Sequence, residues 1–314
     1  MKTMRLLTVF VRIMIPLFCA LPFACGSMDS LSGIGGSVAD FGKKVVGKSD
    51  LDQNTKTAIS MSTKAVANAT EEITPEQEYY IGRAVAANIL KTYSLWNGNS
   101  ALTAYANRIC NAIVINSPRP DLFNGYHVAL LNSNEINAFA TSGGHIFLTR
   151  GLVNSAKSED ALAGVIAHEI AHIQLQHSIK AIRTSRITQA LMVTGASAAG
   201  AVSGYDVKEM TGVFNETVGD IVSTLVNNGY SQVQEYDADN TAMSLLAAAG
   251  YNPSGLIEML KELEKTQKGQ AGGFNKTHPS PDKRRAVAEK ALSLQPQVND
   301  TSAYRKKRFA AVKK

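Results

Sequence analysis

The segment His168-Glu169-Ile170-Ala171-His172 restricts the fold of this chain more than any other feature of its sequence. In an α-helix, residues four positions apart differ in direction by only about 40°, so the two histidines project from one face. Apolar residues on both sides of the motif predict that the whole helix is buried; they are Ala161, Leu162, Val165, Ile166, Ala167 and Ile173. Two imidazoles and a carboxylate are costly to bury unless they bind something. The chain must therefore fold so that this polar face has partners.

The residue types of the motif are those of a metal site. Neutral imidazole nitrogens are good zinc ligands, and two of them on one rigid helix form a preorganised half of a site. Glu169 lies about 100° around the helix from His168, where it is poorly placed as a ligand but can act as a general base on water at the metal. We therefore expect one Zn²⁺ per chain, bound by His168 and His172.

A catalytic zinc site needs a third protein ligand, for which the sequence offers two candidates. His177 is nine residues after His168, about 180° around a helix, and is expected to face away from the metal. Glu235 is the better candidate. Asp239 lies one helical turn later on the same face, where it can hydrogen-bond the far nitrogen of a ligand imidazole. On its own, this acidic pair would indicate only a solvated helix face.

Four segments of the chain together resemble a known family. They are residues 137–152 (NAFATSGGHIFLTRGL), 168–172 (HEIAH), 235–239 (EYDAD) and 278–284 (HPSPDKR). Their order and spacing are similar to those of peptidase family forty-eight of the metallopeptidases, a gluzincin family, over about residues 75–285. The resemblance implies a zinc metalloendopeptidase in which Glu235 is the third metal ligand.

The resemblance also implies roles for residues outside this helix. His278 is expected near the zinc, where it either stabilises the oxyanion or occupies the open metal position at rest, and Arg284 is expected in the same cluster. From spacing alone, His278 would be a loop residue. The strand through residues 144–147 is implied to be an exposed edge of the sheet, against which a polypeptide substrate lies extended. The residues expected at this edge are Gly143, Gly144, His145, Ile146 and Phe147.

The rest of the sequence predicts a mostly helical α+β domain over residues 74–293, with a small β-sheet whose edge strand faces the cleft. Thr74 as N-cap, Pro75 at the first helical position and Gln77 at the third predict a helix to about Tyr93. Short β-prone segments follow. They lie at residues 126–131 and 144–148. Further helices are expected from their periodicity at about residues 101–115, 183–203, 207–227, 232–249, 254–265 and 281–292.

The first 24 residues stand apart from this domain. Lys2 and Arg5 precede an apolar segment whose uninterrupted part, residues 13–24, is too short to cross a bilayer and is typical of a secretory signal peptide. Cys25 follows in a context that resembles the bacterial lipobox. We expect a lipid on Cys25, and ordinary cleavage next to Ala24 is the alternative.

The composition of the flanking segments completes this expectation. Residues 25–73 are rich in small and polar side chains and predict a flexible tether, so a lipid at its start would hold the protein in the periplasm at the bacterial outer membrane. The basic residues of 294–314 predict a solvated tail. Residues 1–24 carry three of the basic residues and no acidic one, so their removal lowers the net charge from +6 to +3. No feature of the sequence favours nucleic-acid binding.

Two functions fit these observations. The first is a zinc endopeptidase of the cell envelope that degrades misfolded or unassembled proteins. The alternative is a chaperone-like module that holds polypeptide clients along the edge strand while the open position of its zinc is occupied by a protein side chain. The intact motif favours the enzyme, because a pure binding module need not keep Glu169 as a base.

Overall fold

The computed structural model of the chain describes residues 73–180, 219, 222–223, 229–266, 273–278 and 280–313. These residues belong to one compact unit, residues 73–181 and 215–314. The helices are α1 (Pro75–Thr92), α2 (Ser100–Val114), α3 (Arg150–Ser155), α4 (Glu159–Gln174), α5 (Gln232–Ala248), α6 (Ser254–Thr266), α7 (Phe274–Thr277), α8 (Pro281–Leu292) and α9 (Ser302–Val312). The strands are β1 (His127–Leu131), β2 (Ala138–Thr141) and β3 (His145–Thr149).

The prediction of a mostly helical domain with a small sheet is confirmed. The expected signal peptide and tether and the helix at 183–203 lie outside the described residues, as does nearly all of the helix expected at 207–227. Within the described ranges, no helix is both long and apolar enough to cross a membrane.

The start of α1 shows how closely local sequence determines local structure. The Thr74 hydroxyl accepts a hydrogen bond from the backbone N–H of Gln77, and the Gln77 side chain accepts one from the N–H of Thr74. Pro75 occupies the first helical position, where an N–H has no partner within the helix. The same reciprocal cap recurs at the start of α5, between Ser231 and Gln234. Both helices therefore begin where the capping pattern predicts.

The sheet has the strand order β1-β3-β2, in which β3 runs parallel to β1 and antiparallel to β2. The expectation that the strand through residues 144–147 forms the exposed edge is therefore wrong, because β3 has a partner strand on each side. The cause is the turn at Gly143 and Gly144, whose φ angles of 80° and 97° suit glycine. This turn folds β2 back onto β3 and leaves β2 as one of the two outer strands, with β1, of the sheet formed by the described residues. Strand β2 was not predicted from the sequence, since two of its four residues are alanine, which has low strand propensity.

Helix α4 lies at the centre of the described fold. Every residue from Glu159 to Ile173 is buried, and the helix packs against α5, α6, α2, α9 and β2. Two glycines allow α4 and α6 to approach backbone to backbone. A Cβ on Gly164 would lie 2.8 Å from the Leu256 Cα, and one on Gly255 would lie 2.3 Å from the Asp160 carbonyl oxygen. The helix that carries the histidine motif is thus fixed on several sides.

The basic end of the chain is not wholly the solvated tail that its composition predicts. Helix α9 packs against α4 and α2. Arg305 is buried and forms an ion pair with Asp160, at 2.9 Å between Nη2 and Oδ1. Arg308 forms an ion pair with Glu159. The physical reason is that both acidic residues, in the first turn of α4, are buried and require compensating positive charge.

This packing predicts a large effect of truncating Phe309, which is 2% exposed and stacks on Tyr105. Phe309→Ala should lower the free energy of unfolding by about 3–5 kcal/mol, because it removes a buried aromatic ring. Tyr304→Ala is the matched control, since Tyr304 lies in the same helix but is 81% exposed. It should change the free energy by less than about 0.5 kcal/mol. Urea denaturation measures both values, and equal small effects would contradict the packing of α9.

Candidate metal centre

Four side chains from three parts of the fold converge on one point. His168 and His172 come from α4, Glu235 from the first turn of α5, and His278 from the residue after α7. All four are buried, and one potential ligand atom from each lies within 4.8 Å of the others. The two Nε2 atoms of His168 and His172 are 3.0 Å apart, and the His278 Nδ1 is 3.1 Å from the Glu235 Oε1.

The position of His278 is set by contacts of the short helix before it. The backbone N–H of Phe274 donates to the carbonyl oxygen of Ile136 at 2.8 Å. The Thr277 hydroxyl donates to the Asn137 Oδ1 at 2.9 Å. The Phe274 ring also stacks on the His278 imidazole, with 4.4 Å between the ring centroids. The segment that carries His278 is thereby attached to the start of β2.

Glu169 is fully buried and lies next to this cluster. The His278 Nε2 is 3.5 Å from its Oε1, yet neither carboxylate oxygen has a hydrogen-bond partner among the described residues. Burial raises the pKa of this carboxyl group. A buried carboxylate without a hydrogen bond is costly, so this position suits a group that acts on a bound molecule.

Arg284 and Asp239 contact the clustered side chains on the side away from their common point. Arg284 donates to both carboxylate oxygens of Asp239, from Nε at 2.8 Å and from Nη2 at 2.7 Å. Its Nη1 is 2.8 Å from the Glu235 Oε2. Burial acts to raise the pKa of Glu235, but the positive charge of Arg284 is the main opposing influence, and the pKa lies well below its ordinary value. Glu235 is therefore an ionised carboxylate, the form that binds a metal.

Each histidine of α4 directs one nitrogen into the cluster and the other away from it. The Nδ1 of His168 is 2.9 Å from the Asp239 Oδ1. Burial and the Arg284 charge act to lower the pKa of His168, but hydrogen bonds to Asp239 and Glu235 raise it to about 9. The Nδ1 of His172 is 2.8 Å from the Nδ1 of His177, and burial lowers the pKa of His172 well below its ordinary value.

The expectation that His177 faces away from the site is wrong. His177 is 3% exposed and contacts His172 directly. Helix α4 ends at Gln174, and Gln176 has a φ of 54°, so the backbone turns before it reaches His177. The angular rule that placed His177 on the far face applies only within a continuous helix. Burial, together with the nearby charge of Lys180, lowers its pKa to about 4 and keeps the ring neutral.

Tyr230 also belongs to the site, although no pattern in the sequence predicts this. Its ring stacks on His172, with centroids 4.0 Å apart and planes at 17°. Its backbone N–H donates to the Thr277 carbonyl oxygen at 3.2 Å, which connects it to the segment that carries His278. An isolated tyrosine before a helix has no pattern that marks it, because only the tertiary fold brings it to the imidazole.

The outer strand β2, rather than β3, is the strand that packs most extensively on α4. The N–H of Thr149 donates to the Asn137 carbonyl oxygen, so in an antiparallel ladder the backbone groups of Ala138 and Ala140 face away from β3. The five residues expected at the substrate edge lie elsewhere. Two form the turn and three lie within β3, namely Gly143, Gly144, His145, Ile146 and Phe147.

The donor set fits a divalent metal. Three imidazoles and a carboxylate are ligand types of catalytic zinc sites. Glu169, Glu235 and Asp239 carry three formal negative charges and Arg284 one positive charge, so a cation of charge +2 balances the cluster. The imidazoles of His168 and His172 are held through their Nδ1 atoms, which leaves both Nε2 atoms directed at the common point.

Comparison with known proteins agrees with this geometry. Over 152 residues, the chain is 30% identical to the metalloprotease LoiP of Escherichia coli strain K12, covering 48% of this chain and 57% of LoiP. It is 28% identical over 208 residues to the beta-barrel assembly-enhancing protease of the same organism, covering 64% of this chain and 41% of that protein. It is 28% identical over 188 residues to the mitochondrial metalloendopeptidase OMA1 of Schizosaccharomyces pombe, covering 58% of this chain and 50% of OMA1.

These relatives are similar to this chain over only part of their own length, about half in each case. The sequence model described as Peptidase family M48 matches residues 100–292. That match includes α4, α5 and the segment of His278, and so contains all four clustered side chains. The resemblance seen in the sequence is thus confirmed: the chain belongs to peptidase family M48.

Proposed function

We propose that this chain is a zinc-dependent endopeptidase that binds one Zn²⁺ through His168, His172 and Glu235. The observation that carries the proposal is the convergence of these ligand atoms beside the buried, unpartnered carboxylate of Glu169. When bound, zinc supplies Lewis acidity that polarises the scissile carbonyl and makes water more acidic. The relatives named as metalloproteases support the same activity.

The residues of the chain divide the remaining chemistry among them. Glu169 accepts a proton from the attacking water and passes it to the leaving amine, and its raised pKa suits a group that must both take and release a proton. Asp239 orients His168 through its Nδ1, and Arg284 keeps Asp239 and Glu235 ionised. The surrounding burial excludes bulk water from the proton transfer.

Polypeptide substrate is proposed to bind along β2 as an added extended strand. The position of β2 at one side of the described sheet, its packing on α4 and the backbone groups of Ala140, which face away from β3, support this assignment. The Ala138 N–H already donates to the Asn137 Oδ1, and all residues of β2 are buried, so the proposal requires the strand to become accessible when substrate binds. Asn137, at the start of this strand, contacts the segment of His278 through Thr277. A substrate on this edge would therefore extend toward the metal cluster.

The biological role that we propose is degradation of misfolded or unassembled proteins of the cell envelope. The support is the name of one relative, a beta-barrel assembly-enhancing protease, together with the export pattern at the start of this sequence. The alternative, a chaperone-like module, gains no support from the site. A module that only holds clients has no need of a buried carboxylate directed at the metal cluster.

For Glu169→Gln, we expect normal zinc content and a loss of casein hydrolysis of about 10²–10⁴-fold, because the amide cannot accept the proton. Glu76→Gln is the control, since Glu76 is exposed on α1 and should leave activity unchanged. The double variant His168→Ala/His172→Ala should lose both zinc and activity. Elemental analysis and a casein assay measure these outcomes. Equal cleavage by Glu169→Gln and wild type, or stoichiometric zinc in the double variant, would contradict the proposal.

His278 is proposed to occupy the fourth metal position at rest and to withdraw when substrate binds. Its Nδ1 lies among the ligand atoms, 3.1 Å from the Glu235 Oε1 and 3.3 Å from the His168 Nε2. Gly273, with a φ of 65°, precedes its helix and provides a position where the backbone can turn. The other role implied by the resemblance is to stabilise the oxyanion.

The variant His278→Ala distinguishes these two roles. If His278 is a resting ligand, the variant should keep zinc and show higher basal proteolysis than wild type. If it stabilises the oxyanion, kcat should fall by roughly 10²–10³-fold, as for loss of one such donor. Zinc content and initial rates on casein are the measurements, and an unchanged rate would exclude both roles.

We also propose that residues 1–24 are removed and that Cys25 carries a lipid that anchors the protein at the outer membrane. The support is the charged, then apolar, then small-residue pattern of the sequence. Mass spectrometry of the mature N-terminus should show Cys25 as the first residue, with added acyl mass. The variant Cys25→Ala should lose that mass and appear in the soluble fraction. An unmodified mature chain would contradict lipidation and leave export intact.

A further inference from the structure

His172 and His177 form a direct contact between two buried imidazoles. Their Nδ1 atoms are 2.8 Å apart, and both rings pack against Tyr230. A hydrogen bond between two ring nitrogens requires one proton, with one ring as donor and the other as acceptor. The Nε2 of His172 points into the metal cluster, 3.5 Å from the Glu235 Oε1. A nitrogen that binds a metal carries no proton, so in the metal-binding form the proton of His172 must be on Nδ1.

From this geometry we propose that His177 is a positioning residue, which accepts the Nδ1 proton of His172 and thereby fixes its tautomer and ring orientation for zinc. The inference rests on the proposed zinc site and adds a residue to it. His177 then carries its own proton on Nε2 and is neutral. The pair corresponds to the contact of His168 with Asp239, in which a carboxylate holds the Nδ1 of the other α4 ligand.

The difference between the two supporting residues has an electrostatic reason. Three carboxylates already lie in the cluster, and Arg284 is the one guanidinium found there among the described residues. A further carboxylate behind His172 would leave a buried negative charge that neither Arg284 nor a divalent metal balances. A neutral imidazole accepts the hydrogen bond without adding charge. Position 177 therefore suits histidine better than the aspartate or glutamate that often holds a ligand imidazole.

The turn that presents His177 is itself held in place. Gln176 adopts a left-handed conformation, with a φ of 54°, which costs free energy for a residue with a side chain. Its amide donates to the Glu78 Oε2 at 3.2 Å, and Arg119 donates to the same oxygen at 3.1 Å. Arg119 also donates to the carbonyl of Ile173, near the end of α4. These contacts hold the strained turn in the geometry that directs His177 at His172.

The test compares two replacements of His177 by zinc affinity rather than by activity. Phe keeps a planar ring of similar size but offers no acceptor, whereas Asn places a polar atom where Nδ1 stood. His177→Phe should raise the Kd for Zn²⁺ by about 10–100-fold, as for loss of other residues that support a metal ligand. His177→Asn should raise the Kd less, so that the increase in log Kd is at most half of that in His177→Phe. Competition with a zinc chelator measures the Kd, and the Tm of the metal-free proteins shows whether each variant folds.

The outcomes distinguish a His177 that positions His172 through a hydrogen bond from a His177 that only fills space. Equal affinity of His177→Phe and wild type would overturn this inference and leave the zinc site intact. Equal loss in Phe and Asn would also overturn it, since shape alone would then matter. Absence of zinc binding by wild type would overturn the site and the inference together. If the Phe variant does not fold, His177→Gln replaces it. The Gln side-chain amide reaches the position of Nε2 rather than that of Nδ1, so this variant should bind Zn²⁺ more weakly than His177→Asn.

Discussion

Arg284 is the largest fully buried side chain among the described residues, and it holds two carboxylates that project from one face of α5. Burial of a charge costs several kcal/mol unless geometry and hydrogen bonds compensate for it. Here the guanidinium has a two-point contact with Asp239 and an ion pair with Glu235. Since α8 carries Arg284 and packs on both α5 and α6, the position of the Glu235 carboxylate depends on how these helices pack.

The Arg284 guanidinium also connects the carboxylates of α5 with the short segment that carries His278. It lies over the Phe274 ring, at 5.5 Å from the ring centroid, and that ring stacks on His278. Phe274 is held by a backbone hydrogen bond to Ile136, next to the start of β2. The cluster therefore combines two rigid helices, which supply three potential ligands, with a short segment that supplies the fourth and is attached to the sheet.

The sequence predicted those parts of the site that depend on regular helix geometry. His168 and His172, like Glu235 and Asp239, share a helix face at a spacing of four, and the structure brings these four side chains together. His278 came from the family resemblance alone, because a residue in a loop has no periodicity that places it. His177 was misplaced because the helix ends three residues before it.

Contacts between residues that are distant in the sequence were the other part of the structure that could not be predicted. Strand β2 exists because a glycine turn and a partner strand hold it, although its alanines have little intrinsic preference for extended structure. The ion pairs of Arg305 and Arg308 depend on the burial of Asp160 and Glu159, which the basic composition of the last residues could not reveal. In each case a tertiary contact, absent from any short window of sequence, determined the structure.

The packing of α9 on α4 also has a consequence for biosynthesis. Glu159 contacts a residue 149 positions later in the chain, and Asp160 one 145 positions later. While the ribosome is still making the segment before α9, the first turn of the histidine-bearing helix lacks its counter-charges. Contacts of such high sequence separation form late in folding, since the loop between them must first close. A nascent chain would thus carry the histidine motif of residues 168–172 before the arginines that compensate the buried charges of Glu159 and Asp160 have been synthesised.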